Sequence, residues 1–215
     1  MSEKKKNTQT GPERRYYENT VSVVKRDGEE ESRTVRGYFA KFNKLSRSLG
    51  WGFKEKIKPG AFDDIDFNND DIVALFNHDQ NQIVGRTIGT PKLILGVDEI
   101  GAYYELEAPN TTAGNDLLEN VNRGLVQHSS FSWPRYTIED IWEDDVEHGE
   151  VRTIVKFTRL LDVAPVVNPA YSDTTASRSY DGAKDSYENW KKENTPFDSA
   201  KLQNEKRSLE IERMR

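Results

Sequence analysis

Between residues 21 and 168 the apolar side chains arrive in short runs, each closed by a cluster of turn formers, and this rhythm constrains the fold more than any other feature of the chain. Runs of that length and spacing predict strands. Residues 21–24 and 35–42 flank Asp27-Gly28-Glu29 and read as a hairpin. Residues 71–76, Asp-Ile-Val-Ala-Leu-Phe, form a nearly continuous apolar run suited to a central strand buried on both faces, and it ends at Asn77-His78-Asp79. A second hairpin is predicted for residues 93–97 and 102–106. Val151, Thr153, Val155 and Phe157 define one face of a later strand that continues to the break at Asn168-Pro169. Pro59-Gly60-Ala61-Phe62 predicts a turn into a short acidic helix, and residues 138–150, with seven acids and no Lys or Arg, predict a solvated hairpin tip. The clearest helix has Thr112 as its cap, Leu117, Leu118 and Val121 on one side, and Gly124 at its end. Together these predict a mainly β chain with a few helices (α+β), in a small closed or strongly curved β-barrel.

The chain is too polar for all 215 residues to enter one core, with 34% hydrophobic and 32% charged side chains. Residues 1–15 are expected to be a disordered basic arm, 16–178 a single domain, and 179–215 a charged tail, disordered or helical. The tail carries eight acidic and eight basic residues, and Ser199 can cap a helix bearing Leu202, Leu209 and Met214. A net charge of -6 argues against nucleic acid as a partner. No apolar run approaches the roughly 20 residues that span a bilayer, and Lys4-Lys5-Lys6 does not lead into a signal-peptide core, so a soluble, unsecreted protein is expected. The absence of cysteine removes disulfides and thiolate chemistry, and fits a reducing cytoplasm.

Without cysteine a nucleophile must be Ser, Thr or Lys, and a hydroxyl needs a nearby base. The histidines are His78, His128 and His148. His148 lies in the acidic segment, whereas His78 follows the apolar central strand, where an imidazole can sit in a partly buried cleft. In His128-Ser129-Ser130-Phe131-Ser132-Trp133 an extended chain sends Phe131 and Trp133 to one face and Ser130 and Ser132 to the other. His128 shares that second face and is a rival base. Asp162, between Leu161 and Val163, needs a partner if buried, and a histidine or an arginine would serve. Three scattered histidines give no zinc-ligand spacing, no glycine-rich phosphate loop is present, and no cofactor is expected.

Five segments in register then carry a resemblance to one family. They are Arg36-Gly37-Tyr38-Phe39-Ala40, Pro59-Gly60-Ala61-Phe62, Ala74-Leu75-Phe76-Asn77-His78-Asp79 with Val84-Gly85-Arg86-Thr87, Arg123-Gly124 with Ser129-Ser130-Phe131-Ser132-Trp133, and Leu161-Asp162-Val163-Ala164-Pro165 running to Asn168-Pro169-Ala170-Tyr171. Over residues 15–178 the chain resembles the caudovirus prohead serine proteases. The resemblance implies a herpesvirus-assemblin-like barrel and an endopeptidase with Ser130 as nucleophile, His78 as base and Asp162 orienting it. It implies the major capsid protein and scaffold as substrates, within the assembling prohead in the host cytoplasm. Self-cleavage, contact with the portal and a homo-oligomer stay open. In this chain Ser129 stands for a methionine, Ser132 for a glycine, Trp133 for a phenylalanine and Asp162 for a glutamate, which leaves Ser129 open as nucleophile and a water or another group open as the orienting element. The rival reading is a catalytically silent scaffold or capsid-assembly binding protein that docks through its tail. A cellular esterase is disfavoured by the lack of a nucleophile elbow.

Overall fold

The computed structural model describes residues 12–18, 20–25, 32–90, 92–167 and 181–194. In chain order the elements are β1 (Glu13–Tyr17), β2 (Val21–Val24), β3 (Thr34–Lys41), β4 (Lys54–Ile57), β5 (Val73–Leu75), β6 (Ile83–Arg86), β7 (Ile94–Val97), β8 (Gly101–Glu107), α1 (Thr112–Asn122), β9 (His128–Trp133), β10 (Ile138–Asp145), β11 (Gly149–Phe157), β12 (Asp162–Val166) and α2 (Asp181–Asn194). The strands make a five-stranded sheet in the order β1-β9-β12-β5-β6, a four-stranded sheet β2-β3-β8-β7 and a three-stranded sheet β10-β11-β4. Most pairs are antiparallel; β4 with β11 and β5 with β12 are parallel.

No sheet of the described strands closes on itself: three open sheets surround one main core, so of the expected closed or strongly curved barrel, closure is not seen. Closure needs a continuous ladder between the terminal strands. Among the described residues the ladders between sheets are isolated bridges, Phe42 with Ile57 and Arg86 with Lys92, and the sheets otherwise meet by packing. The shared core contains an aromatic cluster: Phe62 stacks on Phe157 with centroids 4.7 Å apart, and the Phe131 and Trp133 ring centroids lie 4.9 Å apart. The mainly β, α+β character and the predicted hairpins β2/β3 and β7/β8 are present.

Four local expectations change. Thr111, one residue before the predicted cap, caps α1, because its Oγ1 accepts from Gly114 N at 3.2 Å. The acidic segment after Phe62 is a series of turns rather than a helix, with Ala61, Asp63 and Ile65 each bonding back three residues. The acidic ribbon β10/β11 is not simply a solvated tip: Trp142 is buried with Phe53, Ala183 and Tyr187, and its Nε1 donates to Ser186 Oγ on α2 at 2.8 Å. Residues 13–15, placed in the arm by their charge, begin β1 instead.

That last difference has an electrostatic cause. Glu13 and Arg15 point inward and are almost wholly buried. Arg15 forks onto Glu55 of β4 (Nε–Oε1 2.6 Å, Nη2–Oε2 2.8 Å), and Arg152 of β11 reaches the same carboxylate at 3.1 Å and Asp140 at 2.5 Å. The guanidinium of Arg15 also lies 5.0 Å from the centre of the Trp133 ring. Burial alone would raise the Glu55 carboxyl, but the two arginines outweigh it and hold it below its ordinary value. Burial wins at Glu13, which is raised and whose Oε1 has no hydrogen-bond partner among the described residues. Residues 1–11 of the arm, the segment Asn168-Pro169-Ala170-Tyr171 and the helix predicted beyond Ser199 lie outside the described residues.

Candidate active site

β9 sits between β1 and β12, with Ser130 opposite Tyr16 on one side and Ala164 on the other. Strand alternation sends Phe131 and Trp133 into the core and leaves Ser130 and Ser132 on the other face. Ser129 is held on the core side, its Oγ 3.1 Å from the Tyr104 hydroxyl. Gly37 of β3 makes room for that contact, since a Cβ there would come within 2.5 Å of the Tyr104 oxygen and 2.6 Å of Ser129 Oγ.

β5 ends in a single 3-10 turn, Phe76–His78. Its backbone is left-handed at two successive non-glycine residues, Asn77 (φ 56) and His78 (φ 57). Such conformations cost on the order of 1–3 kcal/mol each and persist only where surrounding contacts impose them. One contact is visible: Asn77 Oδ1 accepts from Val167 N at 3.0 Å, tying the turn to the end of β12. From this turn the imidazole meets two groups distant in sequence. Its Nε2 lies 2.5 Å from Ser130 Oγ, and its Nδ1 is hydrogen-bonded to Asp162 Oδ1. The second carboxylate oxygen, Oδ2, accepts from Ser132 Oγ.

For a neutral His78 beside an ionised Asp162, these bonds assign the proton positions. An ionised carboxylate only accepts, so Nδ1 of His78 carries the hydrogen that binds Asp162, and Nε2 is left to accept from the Ser130 hydroxyl. The group is nearly dry: the side chains of His78 and Asp162 are 4% and 8% exposed, and Ser130 has no exposed surface. Tyr16 stands edge-on to the imidazole with centroids 6.1 Å apart, and burial raises its phenol, an effect the Arg14 charge partly offsets.

His78, Ser130 and Asp162, far apart in the chain, are thus brought together. His128, the rival base, begins β9 opposite Val166, and His148 lies in the β10/β11 turn with Nδ1 3.5 Å from Lys54 Nζ. Arg86 pairs with Asp71 across the entry to β5, at 2.6 Å from Nε to Oδ1. Sequence reasoning missed Asn77, Ser132 and Tyr16 as neighbours of the site. Only Ser132 carried a signal, its shared strand face with Ser130.

No curated protein matches the chain. Among solved structures, the capsid assembly protease of bacteriophage T4 is similar over 74% of this chain and 99% of that chain, with a TM-score of 0.47 and 13% identity. The sequence model of one family, described as caudovirus prohead serine protease, matches residues 19–192, a span that contains His78, Ser130 and Asp162. A match over that much of a chain of 215 residues settles the affiliation: this chain belongs to the caudovirus prohead serine protease family.

Proposed function

We propose that this prohead protease is a serine endopeptidase that cuts capsid and scaffold proteins during head assembly, with Ser130, His78 and Asp162 as its catalytic group. The observation that supports this reading is the unbroken hydrogen-bonded series from Asp162 through His78 to Ser130. Ser130 Oγ attacks the scissile carbonyl carbon while its proton passes to His78 Nε2. The resulting imidazolium is stabilised by the Asp162 carboxylate at Nδ1, and Nε2 then delivers the proton to the leaving amine as the peptide C–N bond breaks. Water, deprotonated by the same nitrogen, attacks the acyl carbon; the ester C–O bond breaks, the carboxylic acid product leaves, and Nε2 returns the proton to Ser130 Oγ. Asp162 also keeps Nδ1 protonated, so that Nε2 is the nitrogen that acts as base.

The buried hydroxyl adds a requirement. Ser130 has no solvent-accessible surface, so a substrate enters only after a movement uncovers it. Co-expression with the capsid protein of the same virus tests the assignment. Wild-type chain is expected to process the capsid protein and to react with a fluorophosphonate at Ser130, and Ser130→Ala to do neither. Capsid processing by Ser130→Ala at the wild-type rate would overturn the reading.

A further inference from the structure

We infer that Ser132 is a positioning residue that holds the Asp162 carboxylate in the orientation His78 requires; this rests on the reading of Ser130, His78 and Asp162 as the catalytic group. Ser132 and Asp162 are directly opposite in the antiparallel pair β9/β12, so their side chains leave the sheet side by side on one face. The Ser132 hydroxyl donates to Oδ2 while His78 Nδ1–H takes Oδ1, so the two oxygens are anchored separately. That matters because the terminal torsion of an aspartate is soft and roughly two-fold, and one bond alone leaves the carboxylate free to rock. Two bonds on opposite oxygens remove the freedom.

The position is also dry. Ser132 has no exposed surface and Asp162 is 6% exposed, so water is not at hand to take over the role of the hydroxyl. A buried carboxylate needs its donors, and Ser132 provides the one that does not come from the reacting imidazole.

The geometry is that of a closed ring. Ser130 and Ser132 are two residues apart on β9, about 6.6 Å along a strand. The hydrogen-bonded path leaves β9 at Ser130, crosses the imidazole and the carboxylate, and returns to β9 at Ser132. One rigid strand therefore fixes both ends of the path. Among the described residues the Ser132 hydroxyl is hydrogen-bonded to Asp162 and to neither the imidazole nor the attacking hydroxyl, so its contribution passes through Asp162.

The test uses the full chain and two readouts: saturation kinetics of labelling by a fluorophosphonate, and the downfield proton resonance of His78 Nδ1–H. Ser132→Ala is expected to lower the maximal labelling rate about tenfold, the loss anticipated for one hydrogen bond to a charged group, with the half-saturating concentration unchanged. The Nδ1–H resonance should broaden or shift. Ser132→Cys, close in shape but a weak donor, should show the same loss and keeps the test decisive if the alanine variant does not fold. Ser132→Thr, which retains the hydroxyl, should recover most of the rate. Wild-type labelling with an unaltered resonance in either the alanine or the cysteine variant overturns the inference, as does a loss confined to half-saturation. The Ser130→Ala background separates this from the parent reading. Labelling that survives there refutes Ser130 as nucleophile, while the response of the His78 resonance to Ser132→Ala still decides the role of Ser132.

Discussion

Replacing Glu55 by Gln should cost far more stability than the same change at Glu13, although both carboxylates belong to one buried cluster. The cluster holds three carboxylates, Glu13, Glu55 and Asp140, against the guanidiniums of Arg15 and Arg152. Both oxygens of Glu55 are taken, by Arg15 at 2.6 and 2.8 Å and by Arg152 at 3.1 Å. Glu13 offers only Oε2, at 3.3 Å from Arg15 and 3.6 Å from Arg152, and its Oε1 is unpartnered among the described residues. Removing the charge at position 55 takes away the carboxylate shared by two buried guanidiniums, leaving Arg152 with Asp140 and Arg15 with the more distant Glu13, a loss of about 3 kcal/mol. For a chain of this size that lowers the melting temperature by on the order of 10 °C. Glu13→Gln removes a charge already disfavoured by burial and should stay within about 1 kcal/mol of wild type. Urea unfolding at several pH values is the assay. Glu55 is held below its ordinary 4.5, so its contribution is present above that pH and is lost as pH falls through the native value. Glu13 is raised above 4.5, so the native state keeps its proton where the unfolded chain has lost it, and stability declines as pH rises through the native value. Glu55→Gln should therefore flatten the acid limb and Glu13→Gln the decline above it. Equal costs for the two variants, or an unaltered acid limb in Glu55→Gln, would refute the reasoning.

Asp162→Asn should lower the fluorophosphonate labelling rate by about three to four orders of magnitude, because an amide can present the wrong group to Nδ1 and reverse the tautomer; mass spectrometry at Ser130 reads it directly. At the left-handed turn, Asn77→Ala should cost more than Asn77→Gly by about 1 kcal/mol in thermal unfolding, since both lose the bond to Val167 and only alanine resists the backbone angle. Trp142→Ala should remove about 3–5 kcal/mol and release α2, visible as faster amide exchange across residues 181–194, because Trp142 packs on Tyr187 with ring centroids 5.0 Å apart.

The strands that carry the site were legible because their apolar patterns are local. Val73–Leu75 and His128–Trp133 lie within the segments where alternation and turn residues had placed extended chain. The meeting of His78, Ser130 and Asp162 was anticipated through resemblance, since spacing along the chain offers no distance between a turn, one strand and another. What escaped was governed by long-range pairing. The charged sequence Glu-Arg-Arg-Tyr-Tyr gives little local reason to form a buried strand, and β1 becomes one by pairing with β9 and by meeting Glu55 and Arg152, forty and more residues away. The ordinary pattern of an acidic ribbon likewise concealed Trp142, whose burial depends on a helix nearly forty residues later. Ser132 looked like a polar position on a strand face, and only the register of β12 put a carboxylate opposite it.

The placement of β1 has a bearing on how a polypeptide could approach Ser130, the proposed nucleophile. With β1 on one flank of β9 and β12 on the other, the main chain around Ser130 has no vacant edge for a visiting strand to zip onto. An incoming peptide must then either cross the sheet obliquely, gripped by side chains, or evict the N-terminal strand and inherit its partners. The second route would forfeit the grip of Arg15 on Glu55, so the choice between them amounts to a competition between an outside sequence and the first strand of the enzyme for the same seat.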